Sequence, residues 1–116
     1  MERRFRLTGS TDFKRVRRSG RSYAHPLMVL IAASNDLQVL RIGIAAGRSV
    51  GNAVIRNRSK RRLRASVHAI LKEIEPGWDI VLIARQPIGA AEYDQIREAL
   101  YSLFKRARLI RVGNGG

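Results

Sequence analysis

A single small α/β domain, of the α+β kind with a mixed four-stranded sheet packed by helices, is the fold class that this sequence predicts. Three observations carry the prediction. The 116 residues suit one domain. The apolar content, 45%, is that of a chain that folds around a core rather than of a disordered tail. The hydrophobic pattern alternates short apolar runs of strand length with longer stretches of helical period, in the order α-β-β-β-α-β-α. A chain of this size buries about 60–70% of its unfolded surface, so it needs no metal or disulfide staple. With no cysteine it has neither a disulfide framework nor a thiolate site to offer.

The elements follow in order. Residues 1–9 are basic and without period, which predicts a mobile or extended arm. Ser10 or Thr11 can cap a helix that carries Phe13 and Val16 inward and stops at Gly20. A short strand over Arg21 to Ala24 is interrupted by Pro26, as an edge strand would be. Leu27 to Ala33 reads as a buried strand, and the Asn35-Asp36 turn returns the chain through Leu37 to Ala46 as a hairpin. In that returning strand Leu40, Ile42, Ile44 and Ala46 share the core face. Val39, Arg41, Gly43 and Ala45 share the other face, which is small and carries one arginine, and which is either open to a ligand or an ordinary solvated sheet face.

After Gly51 a long helix runs from Asn52 to about Ile74, ahead of Pro76-Gly77. Its core stripe is Leu63, Val67, Ile70, Leu71 and Ile74, and extended backward that stripe passes through Arg56 and near Lys60. Arg58, Arg61 and Arg64 then point outward. Trp78 to Ala84 is the last strand. Tyr93, Ile96, Leu100, Leu103 and Phe104 mark a final amphipathic helix to about Arg108, with Arg97 placed to pair with Asp94. Strands joined through a helix run parallel, hence the mixed sheet. Residues 1–116 are read as one domain, with 112–116 as a mobile tail.

Charge is where the chain departs from the ordinary. Twenty-three Lys and Arg stand against nine Asp and Glu, a net charge of +14. Between Leu37 and Lys72 there are nine basic residues and no acidic one. Arg48, Arg56, Arg58, Lys60, Arg61, Arg62 and Arg64 crowd the start of the long helix, where the dipole prefers anions and each cation costs about 0.3–1 kcal/mol. A chain that carries that cost is expected to bind a polyanion, the alternative being a solvated charged face. Arginine outnumbers lysine several-fold, and its planar fork suits phosphate and base edges. The seven aromatic residues fall largely on core faces, which leaves few stacking platforms and favours shape recognition of a folded RNA. No apolar run nears the roughly 20 residues of a membrane span, and the start MERRFRL lacks a signal peptide's apolar segment. A cytoplasmic protein with no membrane partner is expected.

Catalytic chemistry is hard to place on these side chains. His25 stands in a loop and His68 on the polar side of the long helix, neither with a spaced acidic partner. Asp94 and Glu98 fit a solvated helix face, and GRSVGN lacks the spacing of a phosphate-binding Walker loop. A nucleic-acid-binding protein remains: a folded RNA suits the composition best, as for a ribosomal or structural RNA-binding protein, while charge alone leaves DNA open.

The run GNAVIRNRSKRRLR resembles the signature of the bacterial ribonuclease P protein subunit, with Arg56-Asn57-Arg58 as its "RNR" element. The early pattern of Leu7, Asp12, Phe13, Val16 and Gly20, the block LRIGIAAGRSVGNAV and the segment DIVLIARQP extend the resemblance over nearly the whole chain. It implies a left-handed βαβ crossover and a subunit of an endoribonuclease that removes the 5′ leader of precursor tRNA. Bond cleavage then belongs to the catalytic RNA and its Mg2+, with no catalytic residue and no tightly bound cofactor in the protein. The resemblance assigns catalytic-RNA binding to Arg48, Asn52, Arg56, Asn57, Arg58, Lys60, Arg61 and Arg64. It assigns a leader cleft to Phe13, Arg17, Ile31, Arg41 and Gly43. Asn57 is the one candidate metal ligand in the RNR run, and one protein per catalytic RNA is expected. Some family members carry rings where this chain has Arg17 and Ile31, so its cleft should lean on phosphate contacts more than on stacking.

Overall fold

In a computed structural model, residues 6–111 are described. Helix α1 (Ser10–Ser19) leads into strands β1 (Arg21–Ala24), β2 (Met28–Ser34) and β3 (Arg41–Ala46). Helix α2 (Ala53–Ile70) connects to β4 (Trp78–Ala84), and α3 (Tyr93–Arg106) follows. The order is the predicted one, but the pairing is not. The sheet runs β1-β2-β4-β3, antiparallel except for β3 beside β4.

The predicted hairpin between β2 and β3 is therefore not formed. The chain does reverse at Asn35-Asp36, where the Asn35 side chain accepts from the Leu37 N–H at 2.8 Å and Asp36 takes a positive φ of 59°. It returns one strand's width away, and β4 fills the gap. Burial explains the choice. In β2 the run from Leu30 to Ala33 is buried residue after residue, and so is Asp79 to Leu82 in β4. Such strands are covered on both faces and belong in the middle of a sheet. β3, with Arg41 and Gly43 on one face, is left at the edge.

The two faces carry two cores. Met28, Leu30, Ile42, Ile80 and Leu82 meet Leu63 and Val67 of α2 and Ile96, Leu100, Leu103 and Phe104 of α3. On the opposite face Ile31, Ala33 and Val81 meet Leu7 and Val16. α1 is thus alone on its side. Its cap is Gly9, whose carbonyl accepts from Phe13 N–H at 3.2 Å, and no Ser10 or Thr11 side chain takes that part. It ends at Gly20 as predicted, for a steric reason. A Cβ there would lie 2.8 Å from the Ala32 carbonyl oxygen and 2.8 Å from Ile31 Cγ2.

The basic arm is partly docked. Arg6 pairs with Ile42 along the free edge of β3, Leu7 N–H donates to the Ile42 carbonyl at 2.8 Å, and Leu7 is buried. An unpaired strand edge is a liability, and residues 6–7 cover it. The remaining arm residues 1–5 and the tail 112–116 lie outside the described residues.

Asn52 caps α2, accepting from Ile55 N–H at 3.0 Å. The helix proper ends at Ile70 and a tight helical turn takes the chain to Glu73, short of the predicted Ile74. Its core stripe holds Leu63, Val67 and Ile74, with Ile70 and Leu71 half-buried. Backward, the stripe passes through Ser59 and not Arg56. Ser59 Oγ donates to the Ile55 carbonyl at 2.9 Å, so a small hydroxyl is buried without an unmet hydrogen bond. α3 starts with a capping box of Glu92 and Gln95. Tyr93 stays at the surface, where Arg97 lies 5.8 Å from its ring centre instead of pairing with Asp94. No helix among the described residues is long and apolar enough to cross a membrane.

Candidate nucleic-acid interface

The basic run enters the fold as a tight turn, Arg48–Val50, followed by Gly51 with φ 146° and then α2. Arg48, Asn57 and Arg61 are exposed, while Arg56, Lys60 and Arg64 are half-buried. None of these cations makes a hydrogen bond or ion pair with protein among the described residues. Spaced by four, Arg56, Lys60 and Arg64 run down one flank of the helix. Asn52 is exposed too, with its carbonyl oxygen already committed to the cap.

Two arginines of the run have other partners. Arg58 donates to the Gly89 carbonyl at 2.9 Å and Arg62 to the Ala91 carbonyl at 3.1 Å. Both clamp the turn Gln86–Ala90 and the residue beyond it against α2. The expectation that Arg58 and Arg64 point outward is thereby corrected. Arg58 turns toward the β4–α3 connection, and Arg64 turns the other way, toward the β3 edge.

There Arg64 meets the second site. A recess of about 270 Å³ is lined by Arg64, Arg6, Thr8, Phe13, Gly43 and Ile44, among others. Phe13 lies across Gly43 so closely that a Cβ at that position would stand 2.6 Å from the ring's Cε1. The helix flank and the α1 side of the sheet thus share one basic border. Arg6 had not been singled out, because an aperiodic basic arm gives no sign that it will pair with a strand edge.

The predicted leader cleft is narrower than its residues suggested. Arg17 is exposed, four residues beyond Phe13 on the same helix face. Ile31 and Gly43 are buried, the first 6% exposed, and form the seat of α1 and not an open floor. Half-buried Val29, Ile83 and Ala45 continue the sheet face beyond them.

Arg41 is the largest correction. Its Nε and Nη2 donate to the two carboxylate oxygens of Asp79 at 2.9 and 2.7 Å, a bidentate pair. Arg15 of α1 also donates to Asp79, and Asn35 does so at 2.9 Å. Asp79 has no exposed surface. Burial pushes its carboxyl up, but the hydrogen bonds from Arg41, Asn35 and Arg15 outweigh that and hold its pKa below the usual carboxylate range. The Arg41 pKa is raised correspondingly by its hydrogen bond to Asp79. The sequence reading missed Asp79. The available signal was an acid inside a strand that is otherwise apolar, since a buried charge has to be paired.

Among the described residues no group of three or more His, Asp or Glu could hold a metal ion. Asn57, an exposed amide on an arginine-rich helix face, offers one neutral oxygen and does not amount to a metal centre. His25 is occupied structurally, its Nδ1 accepting from Leu27 N–H at 3.0 Å.

Comparison with known proteins agrees with this geometry. The family model described as Ribonuclease P matches residues 1–108. The ribonuclease P protein component of Herpetosiphon aurantiacus is 40% identical over 109 residues, covering 94% of this chain and 89% of the relative. That of Roseiflexus castenholzii is 36% identical over 112 residues, covering 96% and 92%. Among solved structures, the Staphylococcus aureus RNase P protein superposes with a TM-score of 0.85 at 31% identity, covering 92% of this chain and 98% of that one. The Thermotoga maritima RNase P protein gives a TM-score of 0.80 at 30% identity over 87% of this chain and 96% of that one. The chain belongs to the ribonuclease P protein component family.

Proposed function

We infer that this chain is the protein component of a bacterial ribonuclease P, working with the enzyme's RNA subunit to remove the 5′ leader of precursor tRNA. As part of that ribonucleoprotein it contributes to an endoribonuclease. The observation that carries the reading is a cationic surface whose arginines and lysine meet no carboxylate among the described residues. It passes from Arg48 along Arg56, Lys60 and Arg61, and by way of Arg64 and Arg6 into the recess beside Phe13. A surface of that length suits a polyanion with shape, and releasing counterions from the polyanion drives the association.

In this reading the flank of α2 lies on the catalytic RNA. The precursor leader passes along the groove beside α1, met by Arg17 and the Arg64–Arg6 border. Screening the repulsion between leader and catalytic RNA is the protein's part. Mg2+ is held by RNA phosphates and supplies the cleavage chemistry there. Asn57, exposed on α2, contacts RNA and not metal in this reading. One protein serves one catalytic RNA, in the cytoplasm.

Precursor-tRNA cleavage by the matching catalytic RNA, with and without this protein, tests the reading. The protein should lower KM for precursor tRNA and lower the Mg2+ needed for activity. Cleavage by the protein alone, or no change in either quantity on adding it to the RNA, overturns the proposal.

A further inference from the structure

α1 forms one wall of the groove, yet it has little apolar hold on the sheet. Val16 is its one buried residue, and Phe13 adds a half-buried ring against Gly43. The rest of its attachment is ionic. Asp79 stands at the start of β4 on the α1 side of the sheet, without exposed surface. Its carboxylate receives donors from α1 (Arg15), from β3 (Arg41, twice) and from the β2–β3 connection (Asn35). An ionised carboxylate has about four acceptor positions, and these donors fill them.

The same connection is tied down further. Asn35 Nδ2 also lies 3.1 Å from the Val39 carbonyl, and Gly77 N–H donates to that carbonyl at 2.8 Å. Asp79 is thus the point where helix, edge strand and loop meet. It also sets the local charge. Asp12 lies 3.8 Å from Arg15, so at this end two guanidinium groups face two carboxylates.

We propose that Asp79 is a positioning residue for the leader groove, fixing α1 over the sheet through Arg15 and drawing Arg41 away from the substrate side. The recess is bordered by Arg64 and Arg6 at the β3 edge, Arg17 is exposed on α1, and none of Arg15, Arg41 and Asp79 lines it. Asp79 therefore acts on the groove through the seat of α1. This inference rests on the leader-groove reading above.

The holoenzyme reconstituted with its catalytic RNA tests it through two substrates, precursor tRNA and mature tRNA. Asp79→Asn should raise KM for precursor tRNA about tenfold, the scale of one lost charge-assisted bond network. The kcat, the affinity for mature tRNA and the affinity for the catalytic RNA should stay unchanged. Arg15→Gln should do the same while leaving the Asp79–Arg41 pair intact, and Arg15→Lys should restore most of the preference for precursor. That pair of Arg15 variants decides the matter even if Asp79→Asn fails to fold. A merely structural Asp79 predicts a lower melting temperature with an unaltered ratio of the two affinities, and that result overturns the proposal. Equal behaviour of Arg15→Gln and Arg15→Lys does so too. Arg17→Ala, outside the ion-pair cluster, separates the two readings. If it lowers precursor preference while the Asp79 and Arg15 variants do not, the positioning role alone fails. If none of them changes that preference, the groove itself is wrong.

Discussion

At the start of α2 the arginines meet no carboxylate among the described residues, whereas at the start of β4 two of them share one. The contrast is between a surface and a joint. Arg48 and Arg56 oppose the dipole at the N-terminus of α2, and Arg61 adds further like charge along it, so their energy is recovered only on meeting an anion. Arg41 and Arg15 are satisfied within the fold by Asp79 and hold α1 and β3 together. The same side chain stays available to an outside anion where it has no partner among the described residues, and serves architecture where it has one. Arg58 and Arg62 stand between the two cases, since each spends a donor on a backbone carbonyl yet lies in the basic run.

The contrast can be broken most forcefully at Asp79. Asp79→Ala leaves two guanidinium groups without their shared carboxylate and should destabilise the fold by about 3 kcal/mol, the lower end for a broken buried pair because both arginines keep partial water contact. Urea denaturation checks it, and a loss below the resolution of that measurement would make the cluster a surface feature after all. Acid should act on the same joint. Because the folded pKa of Asp79 lies below its unfolded value of about 3.9, its contribution is full above that value and fades as pH falls through the lower folded pKa. Asp79→Asn should therefore flatten the acid limb of the stability profile.

A smaller loss is expected where α1 touches the sheet. Gly43→Ala pushes a methyl group into the Phe13 ring and should cost about 1–3 kcal/mol, read from thermal denaturation. It should also loosen the recess and weaken precursor binding without altering catalytic-RNA affinity.

The sharpest comparison lies within the basic run itself. Arg58→Ala should cost about 1 kcal/mol of stability by releasing the Gly89 carbonyl, with little change in the salt dependence of RNA binding. Arg61→Ala should leave stability unchanged and reduce the log–log salt slope by about 0.7–0.9. Titration of the catalytic RNA across a salt series gives both slopes. Equal slopes for the two variants would erase the distinction between clamp and contact.

The elements and the cationic character can be read along the chain one segment at a time. Apolar spacing together with cap and turn signals located the three helices and four strands of the described residues, because these are local properties of each segment. Charge counting located the acid-free run for the same reason. What the sequence left undetermined was every relation that depends on which strand lies beside which. The β2–β3 hairpin was the expectation because adjacent strands usually pair, yet the burial demand of β4 placed it between them. Only that insertion sets Asp79 beside Arg41, in register across the parallel pair. From that register follow the loss of Arg41 as a free cation and the anchoring of α1 through Arg15. The docking of Arg6 on the edge of β3, and with it the continuity of the basic surface, depends on the same strand order. A residue's charge is written in the chain, but whether that charge meets a partner is decided by neighbours that only tertiary packing supplies.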